Sequence, residues 1–274
     1  MDYNEKKQLL KTYLQTLAQH DLVVAFSGGV DSSLLLRLCC EAAKERGTKV
    51  YALTMQTDLH PHGDVAIARR VAEEVGAIHE VLYLDELDEA DIQMNPVDRC
   101  YRCKRCLFSK LMARARALGA TYVIEGTNED DLHVYRPGIK ALGELGVLSP
   151  LAKFGLSKTE VRQMAAEYGV SVSERPSTPC MATRFPYGTR LSYPLMKKVD
   201  EAETWLRAQG FYNVRLRVHG DVTRIEIDRE DMGTLLLKRE AVVHQLKSLG
   251  FVYITLDLEG FRSGSMDIVL NHRR

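Results

Sequence analysis

The sequence predicts an α/β protein, a mostly parallel sheet flanked by helices, followed by a smaller α+β domain. Three observations carry this. Short apolar strands alternate with amphipathic helical stretches through the first two thirds of the chain, which implies βα units. A Ser-Gly-Gly turn joins the first strand directly to a helix. After a Pro-rich stretch, 175–180, the pattern changes to strands that alternate apolar with charged residues.

Helical periodicity covers 5–19, and Leu22 to Phe26 is an apolar strand that runs into Ser27-Gly28-Gly29. Asp31, Ser32 and Ser33 then open a helix over 32–46, with polar N-terminal residues ahead of the apolar run Leu34-Leu35-Leu36. Lys49 to Met55 is the second strand, His62 to Val75 a helix, and Ile78 to Leu84 the third strand. A helix from about Cys103 to Leu118 precedes a fourth strand over Tyr122 to Glu125. Ser157-Lys158-Thr159-Glu160 has capping-box spacing and opens a helix through Tyr168. Beyond Tyr193 come a helix over 194–209, strands at Val214 to Val218 and Val222 to Ile227, a helix from Asp231 to Leu249, and a last strand, Tyr253 to Leu256. Two domains are expected, 1–190 and 191–274.

Composition excludes several classes. At 274 residues the chain can bury a full core. Lys plus Arg equals Asp plus Glu at 37 each, so no overall excess of positive charge points to a nucleic-acid or membrane-surface binder. No apolar run approaches the roughly 18 residues of a membrane span. The N-terminus is polar, and six cysteines in such a chain read as core thiols, metal ligands or nucleophiles rather than a disulfide framework. The expectation is a cytoplasmic homo-oligomer acting on a small molecule, with neither nucleic acid nor membrane as partner.

The chemistry centres on Ser27 to Ser33. Two glycines let the backbone press its N–H groups against a bulky anion, and the helix that follows adds partial positive charge. Ser27, Ser32 and Ser33 offer further donors. Asp31 repels phosphates unless it caps the helix or holds Mg²⁺. The lysine of a G-x-x-x-x-G-K-[ST] loop is missing, which argues against simple γ-phosphoryl transfer.

Other polar loops fall at the carboxyl ends of strands, where open parallel sheets bind ligands. Met55 and the residues after it can offer backbone groups to an adenine, or form an ordinary loop. Gly126 and Thr127 lie in Glu125 to Asp131, a loop dense in acids, in which Asp130 or Asp131 suits Mg²⁺ or is simply solvated. Arg136, in Arg136-Pro137-Gly138, either forks onto a phosphate or carboxylate of the substrate or pairs with that acidic loop. Cys100, Cys103 and Cys106 form C-x-x-C-x-x-C where loop gives way to helix. Three thiolates leave one tetrahedral position open, which Cys180 can fill. Alternatively Cys180, beside Arg184, is a sulfur nucleophile. Arg215 and Arg217 share a strand face, with Arg224 on the next strand. They form either an anion platform or a solvated face paired with Glu226 and Asp228.

Ser27, Gly28, Gly29, Asp31 and Ser32 fill every position of S-G-G-x-D-S, the signature of PP-loop pyrophosphatases. With Asn95 to Lys104, the Glu125 loop, Pro176 to Arg184 and the Arg215 to Glu226 strands, nearly the whole chain resembles the LarE family of ATP-dependent sulfur transferases. The resemblance implies the fold of the adenine-nucleotide α-hydrolases, ATP and Mg²⁺ as requirements, and a pyridinium biscarboxylic acid mononucleotide as substrate. It implies adenylation of a substrate carboxylate, loss of pyrophosphate, and insertion of sulfur to build the nickel-pincer cofactor of lactate racemase. It also implies one of two sulfur sources: Cys180 consumed to dehydroalanine, or an iron–sulfur cluster held by Cys100, Cys103 and Cys180, towards which the cysteine pattern leans. Arg215 and Arg217 match family positions near the second substrate, and Glu203 matches an acid there. The rivals are a PP-loop enzyme that thiolates tRNA, which would carry a basic excess or an RNA-binding domain, and a non-catalytic ATP-binding module, which would not need Cys180, the cysteine triplet and the arginine face together.

Overall fold

The computed structural model describes residues 1–59, 64–134, 136–173, 180–262 and 264–266. Of the Pro-rich stretch 175–180, only Cys180 is among them. The chain divides into two compact units, Met1–Asp91 with Asp98–Thr178, and Ile92–Val97 with Pro179–Arg274.

The first unit runs α1 (Tyr3–Leu17), β1 (Leu22–Ala25), α2 (Val30–Arg46), β2 (Val50–Gln56), α3 (Asp64–Val75), β3 (Ile78–Tyr83), α4 (Glu86–Glu89), α5 (Arg99–Ala117) and β4 (Tyr122–Ile124). It ends with α6 (Glu129–Leu132), α7 (Gly138–Glu144), α8 (Pro150–Lys153) and α9 (Lys158–Glu167). The sheet is wholly parallel in the order β3-β2-β1-β4. Strand order therefore reverses between β1 and β4, which opens a crevice at their carboxyl ends. Alternation within β1 sorts the two faces. Leu22 and Val24 join the core beneath α1, α2, α3 and α9, whereas Val23 joins Phe108, Leu111 and Ala115 of α5. With both faces covered, the sheet leaves only its strand ends for polar work.

The capping box is present as expected. Ser157 Oγ accepts from the Glu160 N–H at 3.3 Å, and Glu160 accepts from the Ser157 N–H at 2.8 Å. Helix α5 starts at Arg99, earlier than the pattern suggests, so Cys100 already lies in its first turn.

The second unit contains a 3₁₀ turn (Met181–Arg184), α10 (Tyr193–Ala208), β5 (Arg215–His219), β6 (Val222–Glu226), a second 3₁₀ turn (Arg229–Asp231), α11 (Met232–Leu237), α12 (Arg239–Ser248) and β7 (Tyr253–Leu256). Its sheet pairs β5 with β6 antiparallel and β6 with β7 parallel. The helix expected over 231–249 is broken at Lys238, whose ammonium donates to the Gln209 carbonyl at 2.7 Å. The division at 178–179 lies upstream of 190–191 because the Met181–Arg184 turn packs with β5 and α10. Residues 92–97 join this unit through Asn95, fully buried at φ 46°, whose amide donates to the carbonyls of Phe185 (3.0 Å) and Pro186 (2.8 Å). No helix among the described residues is long and apolar enough to cross a membrane.

Candidate active site

The loop after β1 is built for close approach. Gly28 has φ +70°, and a Cβ there would meet the Ala68 backbone at 3.1 Å, so glycine is required on both counts. Gly29 caps α2 without any side-chain bond, which leaves the first N–H groups of the helix free of intrahelical partners. The serines order the turn instead. Ser32 Oγ donates to the Gly29 carbonyl (3.1 Å) and lies 3.2 Å from Ser27 Oγ, which accepts from the Gly29 N–H (3.3 Å). Ser33 Oγ is buried with no hydrogen-bond partner among the described residues.

Gly126, just past β4, completes the cradle. A Cβ at this position would lie 3.0 Å from both Ser32 N and Asp31 Cβ, and so would fill the space over the helix N-terminus. Gly126→Ala is expected to weaken ATP binding about tenfold while leaving the sheet intact, since it obstructs one donor to an anion. Calorimetric titration with a non-hydrolysable ATP analogue measures this. Beside Gly126, Glu125 is buried and its oxygens accept from Thr127 N–H (3.0 Å), Thr127 Oγ1 (2.8 Å) and Ser149 Oγ (2.5 Å). This loop is thus rigid, and Thr127 serves it by bonding Glu125.

Asp31 faces two donors: the Lys158 ammonium, and Asn128 Nδ2 at 3.0 Å. Neither partner was legible as a site residue. The signal for Lys158 is its place as the first residue of α9, where positive charge opposes the helix dipole unless it is paired elsewhere. Asp131 accepts from Arg136 (2.9 Å) and from the Asn128 N–H (3.3 Å), so Arg136 pairs with the acidic loop in the described structure. Met55 lies within β2 opposite Leu82, its side chain packed against the core on one face of the sheet. Asp31 is a hard oxygen donor beside an anion cradle, which suits Mg²⁺, an ion commonly held by one or two carboxylates together with substrate phosphates.

The cysteines do not converge in the same way. Among the described residues no three His, Cys, Asp or Glu side chains form a group able to hold a metal ion. Cys100 is exposed, Cys103 donates its thiol proton to Glu86 Oε1 at 3.2 Å, and burial pushes the Cys106 thiol up. Cys100, Cys103 and Cys106 lie in the first unit and Cys180 in the second.

In the second unit the turn after Cys180 is pinned to buried charge. Cys180, half-buried, presents its carbonyl to Thr183 N–H (3.1 Å), Thr183 Oγ1 (2.8 Å) and Arg184 Nη1 (3.4 Å). Arg184 is 1% exposed and forks onto Glu203, with Nε on Oε1 at 2.9 Å and Nη2 on Oε2 at 2.8 Å. Glu203 also accepts from Arg207 Nη2 and the Leu216 N–H, both at 2.9 Å. Its oxygens are thereby occupied in fixing the Cys180 turn.

The arginine face exists, but its charge is largely answered. Strand register places Arg217 opposite Arg224 and Arg215 opposite Glu226. Glu226 is fully buried and accepts from Arg217 (2.9 Å), Arg224 (3.0 Å) and Ser265 (2.9 Å). Arg217 also donates to the Thr183 carbonyl at 2.8 Å. Asp228 instead accepts from Asn213. Arg215 keeps no carboxylate partner among the described residues. It lies over the Phe261 ring at 5.2 Å, and burial, followed by the nearby Arg184 charge, pulls it down to about 10.

A parallel sheet whose strand order reverses beside a glycine-built helix N-terminus defines a PP-loop nucleotide-binding protein. Comparisons agree. The NAD synthase family model matches residues 2–129. Pyridinium-3,5-bisthiocarboxylic acid mononucleotide synthase of Lactiplantibacillus plantarum is 37% identical over 265 residues, 97% of this chain and 95% of that protein. An uncharacterised protein of Synechocystis sp. is 37% identical over 250 residues, 90% of this chain and 92% of its own. NMN synthetase from Francisella tularensis shares the fold, with a TM-score of 0.50 at 20% identity, covering 65% of this chain and 76% of that one. The chain belongs to the LarE family of ATP-dependent sulfur transferases.

Proposed function

We propose that this enzyme uses ATP to adenylate a carboxylate of pyridinium-3,5-biscarboxylic acid mononucleotide, and that Cys180 supplies the sulfur of the resulting thiocarboxylate. The observation that carries the reading is the cradle over α2, where Gly126 leaves open the space over Ser32 N and the Asp31 side chain at the helix N-terminus. The Lactiplantibacillus relative, a synthase of the corresponding bisthiocarboxylic acid mononucleotide, supports the substrate.

A carboxylate is a poor electrophile because its leaving group would be oxide. The substrate oxygen attacks the α-phosphorus, the bond to the β-phosphate bridging oxygen breaks, and pyrophosphate leaves with that electron pair. The α2 N–H groups stabilise the charge that develops on the departing group. Mg²⁺, which Asp31 would hold, supplies charge neutralisation at the phosphates. The Cys180 thiolate then attacks the acyl carbon, and the C–O bond to AMP breaks. Removal of the Cys180 Cα proton by base finally breaks Cβ–Sγ, leaving the electron pair on sulfur and dehydroalanine in the chain.

The product would feed the nickel-pincer cofactor of lactate racemase. The same reading includes a cytoplasmic location, supported by six cysteines outside any disulfide. It also includes homo-oligomerisation through the second unit, supported by Leu237 and Leu258, which are 86% and 85% exposed. Labelled ATP is expected to yield AMP and pyrophosphate only when the pyridinium mononucleotide is present; ADP and orthophosphate would refute the proposal.

A further inference from the structure

One cation of the second unit rests on an aromatic ring instead of a carboxylate. Glu203 already faces Arg184 and Arg207, and Glu226 faces Arg217 and Arg224, so each glutamate answers two guanidinium groups. Arg215 stands opposite Glu226 in the strand register and still has no carboxylate partner among the described residues. It donates to the Val214 carbonyl at 2.7 Å and lies over the Phe261 ring, 5.2 Å from its centroid. Burial, and after it the nearby Arg184 charge, weigh against its charged form, so an arriving anion would relieve a local excess of positive charge. The ring itself is fixed by its backbone. Gly260 has φ +74°, and a Cβ there would lie 2.9 Å from the Ile227 carbonyl oxygen, so the chain turns tightly against the end of β6. The N–H of Phe261 donates to the same carbonyl at 2.7 Å, which seats the half-buried ring. An aromatic face attracts cations through its quadrupole, and the guanidinium resting on Phe261 marks that face as a cation site. Arg215 and Phe261 thus offer a long, flexible cation and a fixed aromatic face. A pyridinium mononucleotide carries the complementary pair, anionic groups and a cationic aromatic ring.

We propose that Phe261 selects the substrate by the positive charge of its ring: as the Arg215 guanidinium turns to an anionic group of the mononucleotide, the pyridinium takes its place on the Phe261 face, one cation exchanged for another. The assignment rests on the reading that the substrate is a pyridinium mononucleotide. It makes Phe261 a specificity-determining residue and places it in the same unit as Cys180.

The test is calorimetric titration of the full chain with Mg²⁺ and saturating α,β-methylene-ATP, which fills the nucleotide cradle and resists cleavage at the inner bond. Three probes are compared: pyridinium-3,5-biscarboxylic acid mononucleotide, its borohydride-reduced dihydropyridine form, whose ring is neutral, and ribose 5-phosphate, which has no such ring. Wild-type protein is expected to bind the pyridinium form about fivefold or more tightly than the dihydropyridine form. Phe261→Leu, which stays apolar, is expected to bring that preference within about twofold while ribose 5-phosphate binding also stays within about twofold. Phe261→Trp is expected to keep the preference and to add a charge-transfer absorption band with the pyridinium probe alone. A preference that survives Phe261→Leu, or a Phe261→Trp protein that shows neither preference nor band, overturns the assignment. Equal weakening of all three probes by Phe261→Leu with a lower Tm shows a packing role, and also overturns it. Wild-type protein that binds both mononucleotides alike defeats ring selection alone. Wild-type protein that binds neither mononucleotide, and releases no pyrophosphate from ATP in the presence of the pyridinium form, defeats the substrate reading and the assignment together.

Discussion

Cys180→Ala is expected to abolish thiocarboxylate formation, by more than about a thousandfold, while the enzyme still converts ATP to AMP and pyrophosphate in the presence of the pyridinium substrate. The two half-reactions separate because they use different groups. The cradle over α2 provides for adenylation, whereas sulfur transfer needs a thiolate on a fixed turn, and Cys180 lies ahead of a turn pinned through Arg184 and Thr183. In wild-type protein, intact mass should fall by one H₂S after a single turnover, with the change mapped to Cys180 by peptide mass spectrometry. Cys100→Ala and Cys103→Ala should retain the transfer. If either variant loses it together with a brown iron–sulfur chromophore present in anaerobic wild-type protein, Cys180 is not the source.

Glu203→Ala is expected to cost about 3–5 kcal/mol, because it removes the carboxylate onto which the buried Arg184 guanidinium forks. Urea unfolding followed by circular dichroism gives the value. The same group makes stability depend on pH. Burial by itself would raise the Glu203 carboxyl, but the Arg184 fork and the Leu216 N–H outweigh it, and the net direction is downward. A carboxyl lowered on folding contributes fully above its unfolded value of about 4.3, and that contribution disappears as pH falls through the lower folded value. The urea midpoint of wild-type protein should therefore drop below about pH 4, and Glu203→Gln should flatten this segment of the profile. A wild-type midpoint that does not move between pH 5 and pH 3 would refute the assignment.

Much of this architecture was legible because local pattern and tertiary role coincide. The apolar run of β1, the Gly-Gly turn and the polar opening of α2 are read from neighbours in sequence, and the crevice follows from strand order. Helices α4, α6 and α8 escaped because four residues are too few to show a period of 3.6. The shared face of Arg215 and Arg217 followed from alternation. That Glu226 bonds Arg217 and Arg224 while Arg215 lies over the Phe261 ring needed the register of β5 on β6, which the spacing alone does not specify. Side-chain directions within α5, which bring Cys103 to Glu86, are likewise not readable from the spacing of the cysteine triplet. Lys158 could not be assigned to the loop, since nothing within its own helix connects it to Asp31.

The Cys180 turn is anchored through its carbonyl, which accepts from Thr183 and Arg184, and through Arg217, which donates to the Thr183 carbonyl. Under the proposed reaction, a chain that has surrendered the Cys180 sulfur stays folded and keeps its nucleotide cradle. Output would then be limited by ribosomes rather than by turnover, and exhausted copies would compete with fresh ones for the same mononucleotide until they are degraded.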